Sequence, residues 1–250
     1  MDVLNIMRHE SVFNPANYPY PFHIIGAGAT GSRVFAALVE LGITNITVYD
    51  DDSIEDHNLA NQIYMAKDIN ELKVVGCKRF VEAKLGTVPE TMTFYNGRVT
   101  PALINNGYVN GGIVFLLTDT MDSRRKIFDS LANRNASGTA ISNNIQLTTA
   151  PMLIIETRMG STHGSVFSVN PFDKNACNAW RETLVDDTDE DIIELSPCGT
   201  TLSVGTTAAL IANYAVWQMM QFFVDPLALQ PQIDFFFKPT LTIPSTAIAA

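Results

Sequence analysis

Cysteine is scarce in this chain. Its three cysteines, Cys77, Cys177 and Cys198, are scattered and form no C-x-x-C pair. One chain therefore offers neither a disulfide framework nor a four-thiolate zinc site, and we expect no structural zinc. The N-terminal residues also lack the basic and apolar regions of a secretory signal peptide. Together these absences predict a protein of the reducing cytoplasm.

Basic residues are also few. Lysine and arginine number 16 against 26 acidic residues, which gives a net charge of -10. This balance argues against nucleic acid or an anionic membrane as a partner. One uncharged segment, residues 199–224, is long enough to span a membrane. Its many threonines, serines, asparagines and glutamines, and the lack of flanking basic residues, favour a buried helix instead.

What the chain has is an apolar content of 46% over 250 residues, enough for the core of one large domain. A strand pattern beginning at Phe22, a glycine turn, a helical pattern and a strand at 46–49 form a βαβ unit. Further helices are predicted at 71–85 and 122–133, with a long helix inside 199–224. Further strands are predicted at 92–95, 112–117, 152–156, 165–169 and 233–237, followed by a polar tail.

These patterns predict a single α/β domain over residues 1–250. Its sheet is expected to be Rossmann-like and mostly parallel, with flanking helices. We divide it into an N-terminal extension (1–20), a nucleotide-binding core (21–145) and an elaborated C-terminal half (146–250) that holds the candidate cysteine and the last strands.

A glycine motif follows the first predicted strand. Gly26, Gly28 and Gly31 form G-x-G-x-x-G at the start of a helix, where backbone N–H groups and the helix dipole favour phosphate. The alternative is a turn that only allows close packing of strand and helix. Asp50, at the end of the second strand, has the spacing of an acid that binds ribose. These residues alone allow either NAD or ATP.

Asp50, Asp51 and Asp52 are consecutive acids beside this glycine turn. Because magnesium prefers one or two carboxylates together with substrate phosphates, the three acids suggest a Mg²⁺ role. A solvated acidic loop is the alternative.

From here the sequence resembles the ubiquitin-activating-enzyme-like adenylyltransferases of ThiF, MoeB and HesA type. The order of several short motifs carries the resemblance, which covers residues 20–224. The matching positions are Asp50 and Asp52, the loop H-N-L-A-N-Q from His57 to Gln62, Lys73, the sequence T-D-T at 118–120 with Arg124, and P-C-G-T-T-L-S-V-G from Pro197.

The resemblance implies an ATP- and Mg²⁺-dependent reaction in which the C-terminal carboxylate of a ubiquitin-like or sulfur-carrier-like protein with a glycine tail becomes an acyl-adenylate. It also implies a homodimer. Lys73 would neutralise charge on the phosphates and Asp119 would hold Mg²⁺. Nucleotide contacts are implied for Gly26, Gly28, Gly31, Asp50, Asp52, Asn58, Asn61, Gln62 and Lys73.

Asn61 departs from the family pattern, which has arginine at this position. An amide supplies no positive charge to the leaving pyrophosphate, and loss of one such group costs about 3 kcal/mol of barrier. Arg8, reaching in from the partner in a dimer, is a candidate replacement, and Arg124, Arg125 and Lys67 are others. Two alternatives to the adenylyltransferase stay open. The glycine motif and Asp50 equally allow an NAD-dependent oxidoreductase, and Asn61 favours a catalytically inactive adaptor.

Cys198 precedes the long helix and is the candidate nucleophile for a thiol stage, in which the activated carboxylate passes to a cysteine. The N-terminus of that helix would lower the pKa of the thiol and favour the reactive thiolate. A buried neutral cysteine is the alternative interpretation.

Overall fold

The computed structural model describes residues 4–133, 139–142, 145–148, 150–185, 202–238 and 240–245, the second and third of these and 243–245 by their backbone only. Its helices are α1 (Ala29–Glu40), α2 (Lys73–Leu85), α3 (Pro101–Asn105), α4 (Met121–Asn133), α5 (Lys174–Glu182) and α6 (Gly205–Val224). Its strands are β1 (Phe22–Ile25), β2 (Ile46–Asp50), β3 (Thr93–Asn96), β4 (Ile113–Leu116), β5 (Thr139–Ser142), β6 (Ile145–Thr148), β7 (Leu153–Met159), β8 (His163–Val169), β9 (Gln232–Phe237) and β10 (Thr240–Ser245).

Eight strands form one sheet in the order β10-β9-β8-β7-β4-β1-β2-β3. The pairs from β3 through β2, β1 and β4 to β7 are parallel, and β8, β9 and β10 extend the sheet antiparallel. All residues of β1 and β4 are buried, as expected for apolar strands that are covered on both faces. The predicted α/β class with a mostly parallel core is confirmed.

The polar tail expected after residue 237 is wrong over 240–245, because these residues form β10 and pair with β9. Pro244 argued against a strand in the sequence, because proline is rare in the interior of a sheet. A proline is tolerated there because β10 is the outermost strand of the sheet, where one side of the backbone has no partner strand.

Two apolar clusters cover the faces of the sheet. On one face α1, α2 and α6 contribute Phe35, Val74 and Ile211, together with many smaller residues. On the other face α4 and α5 contribute Phe128 and Trp180, whose rings stack with centroids 3.8 Å apart. The sheet is therefore the middle layer of three, which is the arrangement typical of doubly wound α/β proteins.

The long uncharged helix α6 packs against α1 rather than standing alone. No helix in the described residues is long and apolar enough to cross a membrane. Gly205 opens α6 next to the loop that follows β2, since a Cβ there would lie 2.7 Å from the carbonyl oxygen of Ala60. The missing side chain thus lets the start of α6 approach the backbone of that loop.

Parallel pairing brings the carboxyl ends of β1, β2 and β4 to one edge of the sheet. The glycine turn follows β1, Asp50 ends β2 with Asp51 and Asp52 just after it, and Thr118 and Asp119 follow β4. In open α/β sheets this edge is where ligands bind.

Candidate functional site

The three motif glycines have different structural roles. Gly26 has a φ of +97°, and a Cβ on it would lie 2.6 Å from the carbonyl oxygen of Leu117. A Cβ on Gly31 would overlap the carbonyl oxygen of Gly26. Both glycines are therefore required by close packing. A Cβ on Gly28 would meet no atom of the described residues within 4 Å, so Gly28 leaves open space before the N-terminus of α1.

The N-terminus of α1 retains its capacity to bind an anion. Gly28 occupies the N-cap position, which makes no side-chain hydrogen bond, and the first turn carries no acidic residue. The free N–H groups of this turn and the positive end of the helix dipole favour a negatively charged group.

Asp50 fastens the glycine turn to the end of β2. Its carboxylate accepts a 2.6 Å hydrogen bond from the backbone N–H of Ala27 and a 2.9 Å bond from that of Asp52. The side chain is 8% exposed, and burial raises the pKa of Asp50, opposed by Lys73 and by the two N–H donors. Each carboxylate oxygen has a second lone pair, so Asp50 can still accept a hydrogen bond from a ligand.

Lys73 is brought to the same acids by the start of α2. Its ammonium donates to Asp52 Oδ2 at 2.6 Å and lies 3.9 Å from Asp50 Oδ1. Its backbone N–H donates to the carbonyl of Asp52 at 2.9 Å. Lys73 thus lies beside Asp50 and Asp52, and its charge is shared with these two carboxylates.

The loop that follows β2 contributes two kinds of polar side chain. Asn58 is buried and accepts a 2.9 Å hydrogen bond from the backbone N–H of Glu55, so its side chain holds the loop together. In contrast, Asn61 Oδ1 and Gln62 Oε1 are buried, and neither has a hydrogen-bond partner in the described residues.

Further oxygens around the glycine turn share this property. Within the described ranges, Ser32 Oγ on α1, Thr118 Oγ1 after β4 and Ser203 Oγ before α6 are buried without a partner. Buried polar atoms are almost always hydrogen-bonded in folded proteins. Thr118 adjoins Gly26 of the glycine turn, and the loop at Asn61 approaches the start of α6 at Gly205. Such a group of unsatisfied oxygens fits a site that a polar, phosphate-bearing ligand completes.

Tyr64 stabilises the glycine turn from beneath, a role that sequence reasoning missed. Its hydroxyl donates to the carbonyl of Ala27 at 2.7 Å and lies 3.7 Å from Cys77 Sγ. Gly76 makes room for the ring, because a Cβ there would lie 2.6 Å from it. Burial raises the pKa of Cys77 to about 12, which makes this thiol unreactive.

Asp119 is exposed at the end of β4. It does not cap α4, because Thr120 Oγ1 accepts the N–H of Ser123 at 3.2 Å instead. Arg98, which sequence reasoning also missed, donates to Asp51 at 2.9 Å, and this hydrogen bond together with nearby Asp119 raises the pKa of Arg98. In the described residues no three His, Cys, Asp or Glu side chains converge on a metal position.

Arg124 is buried and pairs with Glu156, which is fully buried at β7. Its guanidinium also donates to the carbonyl of Thr118. Glu156 accepts a further 3.1 Å bond from the indole of Trp180. The structure thus uses Arg124 to fix the end of β4.

Arg8 lies at the other end of α1 within its own chain. It is exposed, while its neighbour His9 lies with Nε2 3.4 Å from the carbonyl oxygen of Leu41, just past the end of α1. The twelve residues of α1 separate that end from the glycine turn by about 18 Å. Cys198, the candidate nucleophile, falls outside the described residues.

Arg33 is a third residue that sequence reasoning missed, although it lies only two residues after the last glycine of the motif. Its Nε donates to the backbone carbonyl of Asn61 at 3.1 Å. Its Nη2 lies 3.3 Å from the position that a Cβ on Gly205 would take. Arg33 therefore lies where α1, the loop after β2 and the start of α6 meet.

Comparison with known proteins adds a family and a set of similar folds. The model of the ThiF family matches residues 21–245. A segment of 58 residues is 38% identical to the adenylyltransferase and sulfurtransferase UBA4 of Yarrowia lipolytica. That segment is 23% of this chain and spans only 15% of the relative.

Solved structures agree over most of the chain. E. coli MccB solved with ATP superposes on 98% of this chain and 72% of its own, with a TM-score of 0.65 and 13% identity. A structure of MccB with MccA-N7isoASN gives a TM-score of 0.69 over 95% of this chain and 68% of MccB, with 14% identity. E. coli tRNA N6-threonylcarbamoyladenosine dehydratase, TcdA, gives a TM-score of 0.61 over 90% of this chain and 96% of its own, with 15% identity. At such identities the similarity establishes the fold.

Proposed function

The chain belongs to the ThiF family, and on this premise we propose that it is an adenylyltransferase that uses ATP and Mg²⁺ to activate the C-terminal carboxylate of a protein or peptide. The observation that carries the proposal is the set of buried oxygens without partners around the open glycine turn, in the described residues. A nucleotide supplies both the donors and the charge that complete such a site.

In the proposed reaction an oxygen of the substrate carboxylate attacks the α-phosphorus of ATP. A new oxygen–phosphorus bond forms as the bond from this phosphorus to the bridging oxygen breaks. Pyrophosphate leaves with the bonding electron pair, and the substrate becomes an acyl-adenylate. No proton needs to move, so the protein contributes mainly positioning and electrostatic stabilisation.

Particular residues have proposed parts in this step. The backbone at Gly26, Gly28 and Gly31 and the N-terminus of α1 hold phosphate oxygens, and Asp50 accepts a hydrogen bond from the ribose. Lys73 stabilises charge on the phosphates, and its position 3.9 Å from Asp50, the proposed ribose ligand, supports this role. Gln62 completes the phosphate side of the site, while Asn58 holds the loop that carries Asn61 and Gln62.

The metal and the second subunit also remain proposals. One Mg²⁺ would be held by Asp119 together with phosphate oxygens, an arrangement that needs few protein ligands. The exposure of Asp119 supports it. In a homodimer, Arg8 of a second copy would reach the phosphates, since Arg8 is exposed and distant from the site of its own chain.

The substrate class that we propose is a ubiquitin-like or sulfur-carrier-like protein that ends in glycine. The name of UBA4, an adenylyltransferase and sulfurtransferase, supports a carrier of this kind, and the MccB structure with MccA-N7isoASN supports a shorter peptide-derived substrate. Transfer to Cys198 would follow adenylation.

A second candidate function is a catalytically inactive adaptor. Asn61 favours it, because the loop that follows β2 carries no lysine or arginine from residue 53 to residue 62. Such an adaptor would bind nucleotide without exchanging pyrophosphate.

The first test is calorimetric titration with ATP and Mg²⁺, with NAD as the comparison ligand. Saturable ATP binding that Asp50→Ala and Lys73→Met both weaken, with no signal from NAD, is the expected result. Binding of NAD alone would refute the proposal in favour of an oxidoreductase. Binding of neither ligand would refute the nucleotide site.

The second test is exchange of labelled pyrophosphate into ATP in the presence of a sulfur-carrier protein that ends in two glycines, or of a synthetic peptide with a free C-terminus. Exchange that requires the carboxylate substrate supports adenylation and identifies the class. ATP binding without exchange for either substrate would support the adaptor.

A further inference from the structure

The candidate site holds four cationic side chains in the described residues, and three of them are already paired with carboxylates. Lys73 pairs with Asp52 and Arg98 pairs with Asp51. The others are Arg124, which pairs with buried Glu156, and Arg33. In the described part of the chain no carboxylate lies within salt-bridge distance of Arg33, so its charge is available to a ligand.

The position of Arg33 is set by the loop that follows β2, which has no lysine or arginine from residue 53 to residue 62. Its Nε donates to the backbone carbonyl of Asn61 at 3.1 Å, which uses one of the five guanidinium N–H groups. The four N–H groups on Nη1 and Nη2 make no hydrogen bond within the described residues. Two such nitrogens in one plane match the oxygens of a phosphate.

The surroundings of Arg33 favour an anion. Its Nη2 points toward Gly205, the first residue of α6. α6 has no side-chain cap at Val204 and no acid in its first turn, so its dipole adds positive potential. Ser32 Oγ, which is fully buried without a partner in the described residues, belongs to the residue before Arg33.

We propose that Arg33 binds the terminal phosphates of ATP, which leave as pyrophosphate, and so supplies from α1 the positive charge that Asn61 does not supply from its loop. This inference rests on the proposed adenylation. With Arg33 in this position, the site has a positive charge at the leaving pyrophosphate even though Asn61 has none. Asn61 is then compatible with turnover. Asn61 then serves through its backbone carbonyl, which orients the guanidinium.

The test compares ATP with AMP, because only ATP carries the terminal phosphates. Wild-type protein, Arg33→Gln and Arg33→Lys are titrated calorimetrically with each nucleotide at fixed Mg²⁺. We expect Arg33→Gln to raise the Kd for ATP at least tenfold and the Kd for AMP less than twofold. Arg33→Lys keeps the positive charge but loses the paired N–H donors, so its Kd for ATP should lie between those of the wild-type protein and Arg33→Gln.

Two further variants sharpen the result. Lys78→Gln removes one positive charge from an exposed position of α2 and should leave both Kd values unchanged. Adding Asn61→Arg to Arg33→Gln should recover most of the ATP affinity, since it restores a guanidinium at the neighbouring position.

Three outcomes would overturn the proposal. Equal weakening of ATP and AMP would show that Arg33 only holds the loop. Unchanged ATP affinity in Arg33→Gln would show that it does not contact the phosphates. Absence of ATP binding in the wild-type protein would refute the proposed function itself, which separates that failure from a failure at Arg33.

Discussion

Substitution of single glycines by alanine separates the requirements of the fold from those of a ligand. At Gly28 an added methyl group would meet no described atom within 4 Å, and the φ of -74° is one that alanine adopts. The free energy of unfolding should therefore change by less than about 1 kcal/mol. The methyl group would, however, occupy the open space in front of α1 where a phosphate is proposed to bind.

Gly31→Ala is the matched comparison one helical turn away. Its methyl group would overlap the backbone carbonyl of Gly26, which cannot rotate aside as a side chain would. Strain of this kind costs about 2–3 kcal/mol. We expect Gly31→Ala to lower the melting temperature clearly and Gly28→Ala to leave it nearly unchanged.

The assay pairs thermal unfolding with calorimetric ATP binding for both variants. Gly28→Ala should weaken ATP binding at least tenfold while remaining as stable as the wild-type protein. If Gly28→Ala bound ATP with wild-type affinity, the reasoning would be refuted, and the glycine motif would serve only the close packing of β1 and α1.

Three other perturbations test the electrostatics of the fold and site. Burial lowers the pKa of His23 from 6.5 to about 4, so folding favours the neutral imidazole. The free energy of unfolding should therefore be highest above pH 6.5 and fall by about 3 kcal/mol as the pH falls to 4. Urea titrations at several pH values should show this slope in the wild-type protein and not in His23→Gln. Lys73→Met removes the cation that pairs with Asp50 and Asp52. It should lower the free energy of unfolding at pH 7 by about 1–2 kcal/mol, less than for a fully buried pair because Asp52 is exposed. The cost should shrink below the raised pKa of Asp50, as measured by denaturation at several pH values. Cys77, with a pKa of about 12, should react with a thiol reagent only after unfolding, as followed by absorbance.

Each of these has a clear contrary result. A His23→Gln variant with the wild-type pH slope would show that another group titrates. A cost at Lys73 that does not vary with pH would trace its effect to packing of the alkyl chain. Rapid labelling of Cys77 in the folded protein would mean that α2 opens locally.

The parts of the fold that could be predicted were those whose signal is local. β1, α1 and β2 follow one another within thirty residues. Their boundaries can be predicted from the spacing of apolar residues and from the glycine turn between β1 and α1. β10 could not be predicted because its apolar residues are few and its pairing partner, β9, supplies the hydrogen bonds that decide its conformation. Pairing between strands leaves little trace in the sequence of an edge strand.

The same contrast applies to the site. Asp50 and Lys73 could be placed together because each lies at the start or end of a recognisable element. Arg33 could not be singled out, because its importance depends on the approach of Asn61 and Gly205, which only the tertiary fold creates. The tertiary partners of a half-buried arginine on a helix are not encoded in its neighbours along the chain.

The close approach of Gly205 to Ala60 has a consequence for how the protein is made. A ribosome releases β1, α1 and β2 long before α6, yet the outer face of α1 is covered only when α6 packs on it. Until then the nascent chain exposes apolar surface on α1, and the side of the candidate site that the start of α6 forms is absent. The proposed nucleotide affinity should therefore rise late in synthesis, once α6 has emerged and packed on α1.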